Sequence, residues 1–179
     1  MPQADWETIS IFNDTTEMQK LLAKGFDINT QDTYGNTPLH YACGLGLKDS
    51  ERQLRQLGTS LKHTVVENTD FINLLLKNGA NPNIRNKQQE TPLIPAIYQG
   101  RIATVELLLN SGANVNFQTV NGYTPLMLAT YHCYQDIVQL LLDFNADTSI
   151  KDTSATPFST AKDIAQRQCK EVYSKLINK

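Results

Sequence analysis

Three histidines, His40, His63 and His132, are the first residues to consider for metal binding or proton transfer. A protein zinc site needs three or four His, Cys or carboxylate ligands at characteristic spacings. His63 has no Cys or carboxylate partner at such a spacing, and neither His63 nor His132 fits a zinc pattern. The sequence therefore predicts no metal site and no cofactor.

Three cysteines could act as nucleophiles or form disulfides, namely Cys43, Cys133 and Cys169. They are scattered along the chain and odd in number, so we expect no disulfide framework, which fits a reducing compartment. No residue near Cys133 marks it as an activated thiolate. We interpret Cys43 as a packed core residue rather than a nucleophile, because a free Cys behaves as a small apolar side chain.

A Ser-x-x-Lys sequence at Ser159 to Lys162 has the spelling of a β-lactamase-like nucleophile and base. The companion Ser-Asp-Asn and Lys-Thr-Gly motifs are absent, so we interpret the match as chance. Phosphate-binding glycine loops and the His-Glu-x-x-His metalloprotease motif are absent too. The sequence thus contains no set of residues for covalent catalysis, and we expect a protein that is not an enzyme.

The stretch 90–116 contains two helix patterns joined by a tight turn. A Thr-Pro pair at Thr91 opens the first helix, because Pro lacks an N–H that would be unpaired in a first turn. Gly100 breaks the apolar run, and a second run ends at Gly112, which suits the left-handed position after a helix C-terminus. The apolar face of one such unit is too wide to bury without neighbouring copies.

Copies of this unit occur on both sides of it. The terminator Gly112 has a counterpart before it at Gly79 and another after it at Asn145, and the two intervals are equal. Gly and Asn are the residues that best adopt the left-handed conformation. The Thr-Pro opener also repeats, at Thr37, Thr91, Thr124 and Thr156.

Two motifs at this period resemble the ankyrin repeat: a Thr-Pro-Leu-His opener at Thr37, and Leu-Leu-Leu-x-x-Gly-Ala-Asn before the connector. The resemblance covers nearly the whole chain. It implies an all-α solenoid of stacked helix-turn-helix units with short hairpin connectors. It also implies that His40 has a structural role, its ring bonding to the backbone of the neighbouring connector.

The repeat divides the single domain into five parts. They are an N-terminal cap (1–29), a repeat with an insert at about 47–68 (30–83), two regular repeats (84–116 and 117–149) and a C-terminal cap (150–179). The insert accounts for the longer step between the terminators Gly25 and Gly79. A capping box at Ser50 and leucines at helical spacing predict a short extra helix there. Two interpretations stay open, a neutral insertion and a partner-contacting element.

Three residues depart from the repeat pattern. Gln89 stands where the connector tip usually has a turn Gly, so we expect this tip to bend differently. Pro95 lies within the first helix of its unit, so we expect a small distortion. Cys133 replaces the Gly of a helix–helix turn, so we expect it to be exposed.

Composition limits the compartment and the class of partner. The net charge is −2 and no basic stripe is present, which argues against nucleic acid or an anionic membrane as the main partner. No apolar run approaches the roughly 20 residues that span a bilayer. The N-terminal sequence lacks the basic and apolar regions of a signal peptide. We therefore expect a cytoplasmic protein, or one exported to a host cytosol without a classical signal peptide.

The resemblance implies a concave side lined by the connector tips and the exposed ends of the first helices. Transferred position by position, this partner-binding surface comprises Thr33, Tyr34, Asn36, Leu45, Lys87, Gln88, Glu90, Tyr98, Gln99, Val120, Asn121, Tyr123, Tyr131 and His132. Four of the seven tyrosines belong to it. Tyr offers a large contact area with few torsions to order, although edge packing is the alternative role.

The expected function is binding of another protein by a monomer. The roles left open are binding of a cellular target, action as a bacterial effector, and inhibition or immunity-type neutralisation of a toxin or enzyme. A self-assembly scaffold is an alternative function, and an enzyme with a site in the insert is another.

Overall fold

The computed structural model describes residues 6–45, 69–153 and 159–177, and within them the chain is helical without strands. The predicted all-α solenoid is therefore confirmed. In chain order the helices are α1 (Trp6–Ile11), α2 (Thr15–Ala23), α3 (Pro38–His40, continued by a π-helical turn over Tyr41–Leu45), α4 (Thr69–Lys77), α5 (Leu93–Tyr98), α6 (Ile102–Asn110), α7 (Pro125–Tyr131), α8 (Gln135–Asp143), α9 (Ala161–Gln168) and α10 (Lys170–Ile177).

Thr-Pro pairs set the starts of the first helices, as the sequence predicts. Thr124 is extended, its hydroxyl accepts the N–H of Met127 at 3.2 Å, and Pro125 is the first helical residue of α7. This geometry satisfies one of the N–H groups left free at a helix start. In α5 the helix begins after Pro92 and contains Pro95, and it has six residues where α7 has seven. The small distortion expected from Pro95 stays a prediction.

Left-handed residues end the second helices at the predicted positions. The φ angles of Gly25, Gly79, Gly112 and Asn145 are 85°, 87°, 84° and 61°. After α6, the N–H of Gly112 donates to the Leu109 carbonyl at 3.0 Å, which pairs a carbonyl of the last helical turn. The predicted helix ends are therefore confirmed, including the one formed by Asn145.

The tip at Gln89 has the same turn as the glycine tips, so the expectation of a different bend is wrong. Gln89 adopts a φ of 59°, close to the 79° of Gly35 and the 76° of Gly122. Its N–H donates to the Asn86 carbonyl at 2.9 Å, as the N–H of Gly35 donates to Asp32 at 3.0 Å. The hydrogen bonds of the turn outweigh the steric cost of a side chain in the left-handed region.

The helices stack in chain order as two layers. First helices α3, α5, α7 and α9 follow one another on one side, and second helices α4, α6, α8 and α10 follow one another on the other. The core between them consists of aliphatic side chains that the solvent does not reach, such as Leu39, Leu93, Leu108 and Leu141. Cys43 is fully buried among them, as predicted. Burial of aliphatic groups between layers is the main favourable contribution to this fold.

Asparagine side chains join each repeat to the next. The Asn83 amide nitrogen donates to the Gly112 carbonyl at 2.9 Å, and its amide oxygen accepts the N–H of Asn114 at 2.8 Å. Asn29 makes the equivalent pair of bonds to Gly79 and Asn81. We call these contacts the asparagine bridges; a further one runs from Asn116 to the N–H of Asp147 at 2.8 Å.

A disulfide joins Cys133 to Cys169, whose Cα atoms lie 5.7 Å apart. The expectation that the cysteines would form no disulfide is therefore wrong for this pair. Cys133 is exposed with a φ of 56° in the turn between α7 and α8, and Cys169 separates α9 from α10. Stacking of consecutive repeats brings together residues that are 36 positions apart in the sequence.

One sequence prediction, the insert at 47–68 with its extra helix, lies outside the described residues. The opener predicted at Thr156 for the C-terminal cap is wrong, because α9 begins at Ala161 and its N-cap is Thr160, whose hydroxyl accepts the N–H of Asp163 at 3.3 Å. The residue boundaries of the caps and repeats stay a prediction. Within the described ranges, no helix combines the length and the apolar character needed to cross a membrane.

Candidate functional site

A pocket of about 550 Å³ lies between two connector tips and the ends of α5 and α7. The tips before these helices and the last residues of the helices form its walls. The lining residues are Gln88, Glu90, Tyr98, Thr119, Val120, Asn121, Tyr123, Leu128, Tyr131 and His132. Its volume is in the range of pockets that hold a ligand or an anchoring side chain.

His132 holds the aromatic wall of the pocket together. Its ring makes edge contacts with the rings of Tyr98, at 5.8 Å between centroids, and Tyr131, at 5.4 Å. It also stacks on the ring of Tyr134, with 5.4 Å between centroids and an interplanar angle of 18°. Tyr98 and His132 belong to consecutive repeats, and the stacking of α5 on α7 brings them together. Offset and edge-on ring contacts of this kind fix aromatic side chains in place.

Glu90 gives the pocket its acidic character. Burial raises the pKa of its carboxyl group, and a hydrogen bond with the Asn86 side chain opposes that shift. Burial also raises the pKa of Tyr98, with a further contribution from the charge of Glu90. Glu90 and Tyr98 thus line the same pocket and interact electrostatically. Among the described residues that line the pocket, none is Lys or Arg.

His40, in the preceding repeat, bonds to the backbone of Glu90. Its Nδ1 accepts the N–H of Thr37 at 3.1 Å, so the ring proton is on Nε2, which donates to the Glu90 carbonyl at 3.1 Å. Burial lowers the pKa of His40 to about 4, so the ring is neutral at pH 7. The structural role that the resemblance implied for His40 is confirmed.

Eight of the fourteen residues predicted for the partner surface line the pocket. They are Gln88, Glu90, Tyr98, Val120, Asn121, Tyr123, Tyr131 and His132. Four others, Thr33, Tyr34, Lys87 and Gln99, are exposed outside it. For Leu45, the side chain lies outside the described part of the structure.

Asn36 does not lie on the surface, which corrects that prediction. It is 3% exposed, and its amide oxygen accepts a hydrogen bond from Asn86 at 3.0 Å. Its N–H donates to the Asp32 carboxylate at 2.7 Å. Asn36 therefore connects two tips from the inside and offers no atoms to a partner.

Sequence reasoning did not identify Thr119, Leu128 or Arg101 as relevant to this region. Thr119 and Leu128 line the pocket. Arg101 is 6% exposed, and its Nη1 donates to the Ala42 carbonyl at 3.1 Å in the π-helical turn. The helical spacing of Leu128 could have placed it near the pocket, but a single Arg after a helix–helix Gly gives no signal of a bond to the preceding repeat.

The described residues contain no group of His, Cys and carboxylate side chains that could hold a metal ion. Burial raises the pKa of the Cys43 thiol to about 12, which removes it as a nucleophile at neutral pH. Ser159 accepts a hydrogen bond from Arg167 at 2.6 Å, and Lys162 is exposed. The Ser-x-x-Lys spelling therefore does not form a nucleophile and base pair.

Models of ankyrin repeats match most of the chain. A model of three repeat copies matches residues 61–152, a model of many copies matches residues 8–46, and a single-repeat model matches residues 34–87. The first of these alone covers half of the sequence.

Two relatives share this repeat. The chain is 37% identical over 84 residues to the 2-5A-dependent ribonuclease of Mus musculus, which is 46% of this chain and 9% of that protein. It is 33% identical over 109 residues to a putative ankyrin repeat protein of fowlpox virus, which is 54% of this chain and 75% of the viral protein. The match to the mouse enzyme is thus confined to a small part of its length. With its stacked helix pairs and these matches, the chain belongs to the ankyrin repeat family.

Proposed function

We propose that this chain is a non-enzymatic module that binds another protein through its concave side, the face formed by the tips and the exposed ends of the first helices. Ankyrin repeats are protein–protein interaction modules. The observation that supports the proposal most is the pocket, where Tyr98, Tyr131 and Val120 are 43%, 55% and 71% exposed. Large apolar groups exposed together mark interaction sites.

The tips are fixed before any partner arrives. The N–H of Lys87 donates to the Tyr34 carbonyl at 2.8 Å, and the N–H of Thr153 donates to the Asn121 carbonyl at 3.0 Å. His40 holds the tip at Glu90 in the same way. Since little conformational entropy is lost when rigid segments dock, this surface is suited to binding without rearrangement.

The test is capture of a partner from a lysate with the immobilised chain and with a Tyr98→Ala/Tyr131→Ala variant. We expect one protein to be retained by the native chain and lost from the variant, because tyrosines at the centre of an interface contribute disproportionately to affinity. Circular dichroism of the variant is the control for folding.

A second double variant serves as the matched control. Ile102→Ala/Glu106→Ala removes two exposed side chains of α6, one turn apart and away from the pocket. This variant retains the partner if the tip face is the binding surface. Loss of the partner from the α6 variant together with retention by the tyrosine variant would place binding on the other side of the stack.

Self-assembly is the first alternative. Sedimentation at two concentrations separates it from the proposal, since a module that binds a different protein stays monomeric at both. A concentration-dependent dimer that the tyrosine variant no longer forms would favour the scaffold.

An enzyme with a site in the insert is the second alternative. Deleting residues 47–68 and closing the gap with a short turn should leave folding and partner capture nearly unchanged, because lengthening or shortening a loop costs little. Collapse of the fold in the deletion variant would contradict the placement of the insert within the first full repeat.

We also propose a cytosolic setting, in the producing cell or after export to a host, with a role as an effector or as an inhibitor of a toxin or enzyme. The Cys133–Cys169 disulfide is the observation against this setting, because reducing compartments keep such pairs as thiols. Alkylation of thiols in intact cells, followed by mass spectrometry, decides whether the pair is reduced there.

A further inference from the structure

We propose that the pocket accepts an arginine side chain of the partner protein, with its guanidinium between the Glu90 carboxylate and the rings of Tyr98, Tyr123 and Tyr131. This inference rests on the proposed function, and it names the chemistry that the partner must present. It follows from the charge of the lining, its aromatic content and its shape.

The charge of the pocket favours a cation. Glu90 is partly buried, and the described part of the lining places no Lys or Arg side chain beside it. A carboxylate withdrawn from water loses hydration free energy that a bound cation restores. Burial already raises the pKa of Glu90 and of Tyr98 beside it, because both groups are partly withdrawn from solvent. An acidic or phosphorylated segment would meet the same carboxylate and be repelled.

The aromatic wall favours a guanidinium over other cations. Tyr98, Tyr123 and Tyr131 line one pocket, and edge contacts with His132 hold Tyr98 and Tyr131. A planar guanidinium stacks on tyrosine rings and can donate two parallel hydrogen bonds to a carboxylate. A lysine ammonium is a more strongly hydrated point charge and makes neither the stacked nor the paired contact as well.

The pocket has an apolar part beside the charged part, which suits a long side chain with a charged end. Leu128 and Val120 line the pocket beside the charged part. The methylene groups of an arginine can lie along such apolar surface while the charged end reaches the carboxylate. A volume of about 550 Å³ leaves room for the side chain next to the arginine as well.

Blocked single amino acids test the chemistry directly on the full chain. N-acetyl-arginine methylamide is titrated while the ring signals of the tyrosines are followed by NMR, with the lysine, leucine and glutamate derivatives as parallel probes. We expect saturable shifts of the Tyr98, Tyr123 and Tyr131 signals with the arginine derivative, with a Kd on the order of millimolar. The lysine derivative binds more weakly, and the other two leave the signals unchanged. Equal or tighter binding of the leucine derivative would overturn the inference.

Glu90→Gln removes the charge and keeps the backbone atoms that bond to His40 and Asn86. We expect it to weaken binding of the arginine derivative by about fivefold or more, as loss of a charge-assisted hydrogen bond does. Glu106→Gln, on the exposed side of α6, removes the same charge elsewhere and leaves binding unchanged. Equal weakening by the two variants would show an effect of net charge only and contradict the pocket.

Partner capture separates this inference from the proposed function. Loss of the captured protein in Tyr98→Ala/Tyr131→Ala but not in Glu90→Gln would keep the protein-binding face and reject the arginine. Loss of the captured protein in both variants, together with loss of capture when one arginine of that protein is replaced, would support the protein-binding face and the arginine. Retention in both would reject the proposed function itself.

Discussion

The imidazole Nε2 of His40 lies 3.1 Å from the carbonyl oxygen of Glu90, which is 50 residues further along the chain. The same Glu90 has its side chain at the pocket. One neutral histidine in the first full repeat thus fixes the backbone position of the acidic group in the next repeat. Stability and the geometry of the pocket are linked through this bond.

Acid should destabilise the fold through His40. Its pKa is about 4 in the folded chain and 6.5 as the ordinary value, so the unfolded chain alone binds a proton between these pH values. The free energy of unfolding therefore falls as the pH is lowered from 6.5 to 4 and receives no further contribution from this group outside that window. We expect a contribution of about 3 kcal/mol. Urea unfolding at pH 7, 5.5 and 4 measures it.

Two variants isolate the contribution of His40 from that of the carboxyl groups. His40→Gln is expected to be less stable at pH 7 and to lose about 3 kcal/mol less than the native chain on acidification. His40→Asn, a second neutral replacement of the same ring, is expected to show the same smaller loss. An unchanged slope in His40→Gln would contradict a neutral, buried imidazole.

Gln89→Gly should stabilise the chain. Gln89 has a φ of 59° in a turn where the neighbouring tips use Gly, so glycine removes a steric cost without changing the turn. We expect a gain of about 1 kcal/mol in the free energy of unfolding. Thermal and urea unfolding of the variant measure it, and a loss of stability would mean that the Gln89 side chain contributes to the fold.

The reverse change at the next tip provides the comparison. A Cβ added to Gly122 would lie 2.5 Å from the backbone nitrogen of Thr153, and the residue has a φ of 76°. Gly122→Ala should therefore destabilise by about 2 kcal/mol or more, because the close atoms belong to the backbone of the next tip.

Reduction should loosen the C-terminal end of the stack. The disulfide joins Cys133 and Cys169 across a sequence separation of 36, and a cross-link of that span restricts the unfolded chain. We expect addition of a phosphine reductant to lower the free energy of unfolding by about 2–4 kcal/mol. We expect the Cys133→Ser variant to be less stable than the oxidised native chain and to have the same stability with and without reductant. A reductant effect of the same size in that variant would assign it to other causes.

Asn83→Ala should weaken the contact between the first and second full repeats. The variant loses both hydrogen bonds of its asparagine bridge, to Gly112 and Asn114. We expect a loss of about 1–2 kcal/mol, since two backbone groups lose their partner. Asn110→Ala, at an exposed position of α6, is expected to stay within about 0.5 kcal/mol of the native value. Similar effects of the two changes would contradict a role for the bridge.

The repeated helices could be predicted from sequence because their signals are local. Thr-Pro openers and left-handed terminators act within one or two turns, and a fixed period shows that the same unit recurs. The positions of Gly79, Gly112 and Asn145 are confirmed for this reason. The family pattern also predicted the bond of His40, because its partner lies at a fixed place in the following connector.

Contacts that depend on the exact stacking of two repeats could not be predicted. The disulfide joins cysteines in different units, and the odd cysteine count hid it. The family pattern places Asn36 on the surface with the other tip residues, yet its side chain bonds inward to Asn86. The contact of the Tyr98 ring with His132 likewise requires the offset between α5 and α7, which no pattern within one repeat contains.

Each asparagine bridge joins only two consecutive repeats, so the stack could be lengthened by inserting further repeats. In a chain with residues 84–116 duplicated in tandem, Asn116 of the first copy would be followed by the second copy. Its amide oxygen would accept the backbone N–H of Asn114 in that second copy, as it accepts the N–H of Asp147 in the native chain. Each added copy would also carry another row of exposed tip residues. Longer versions of this protein could therefore present a longer row of tips on one continuous stack, and gene duplication within the array would be a route to partners with longer recognition segments.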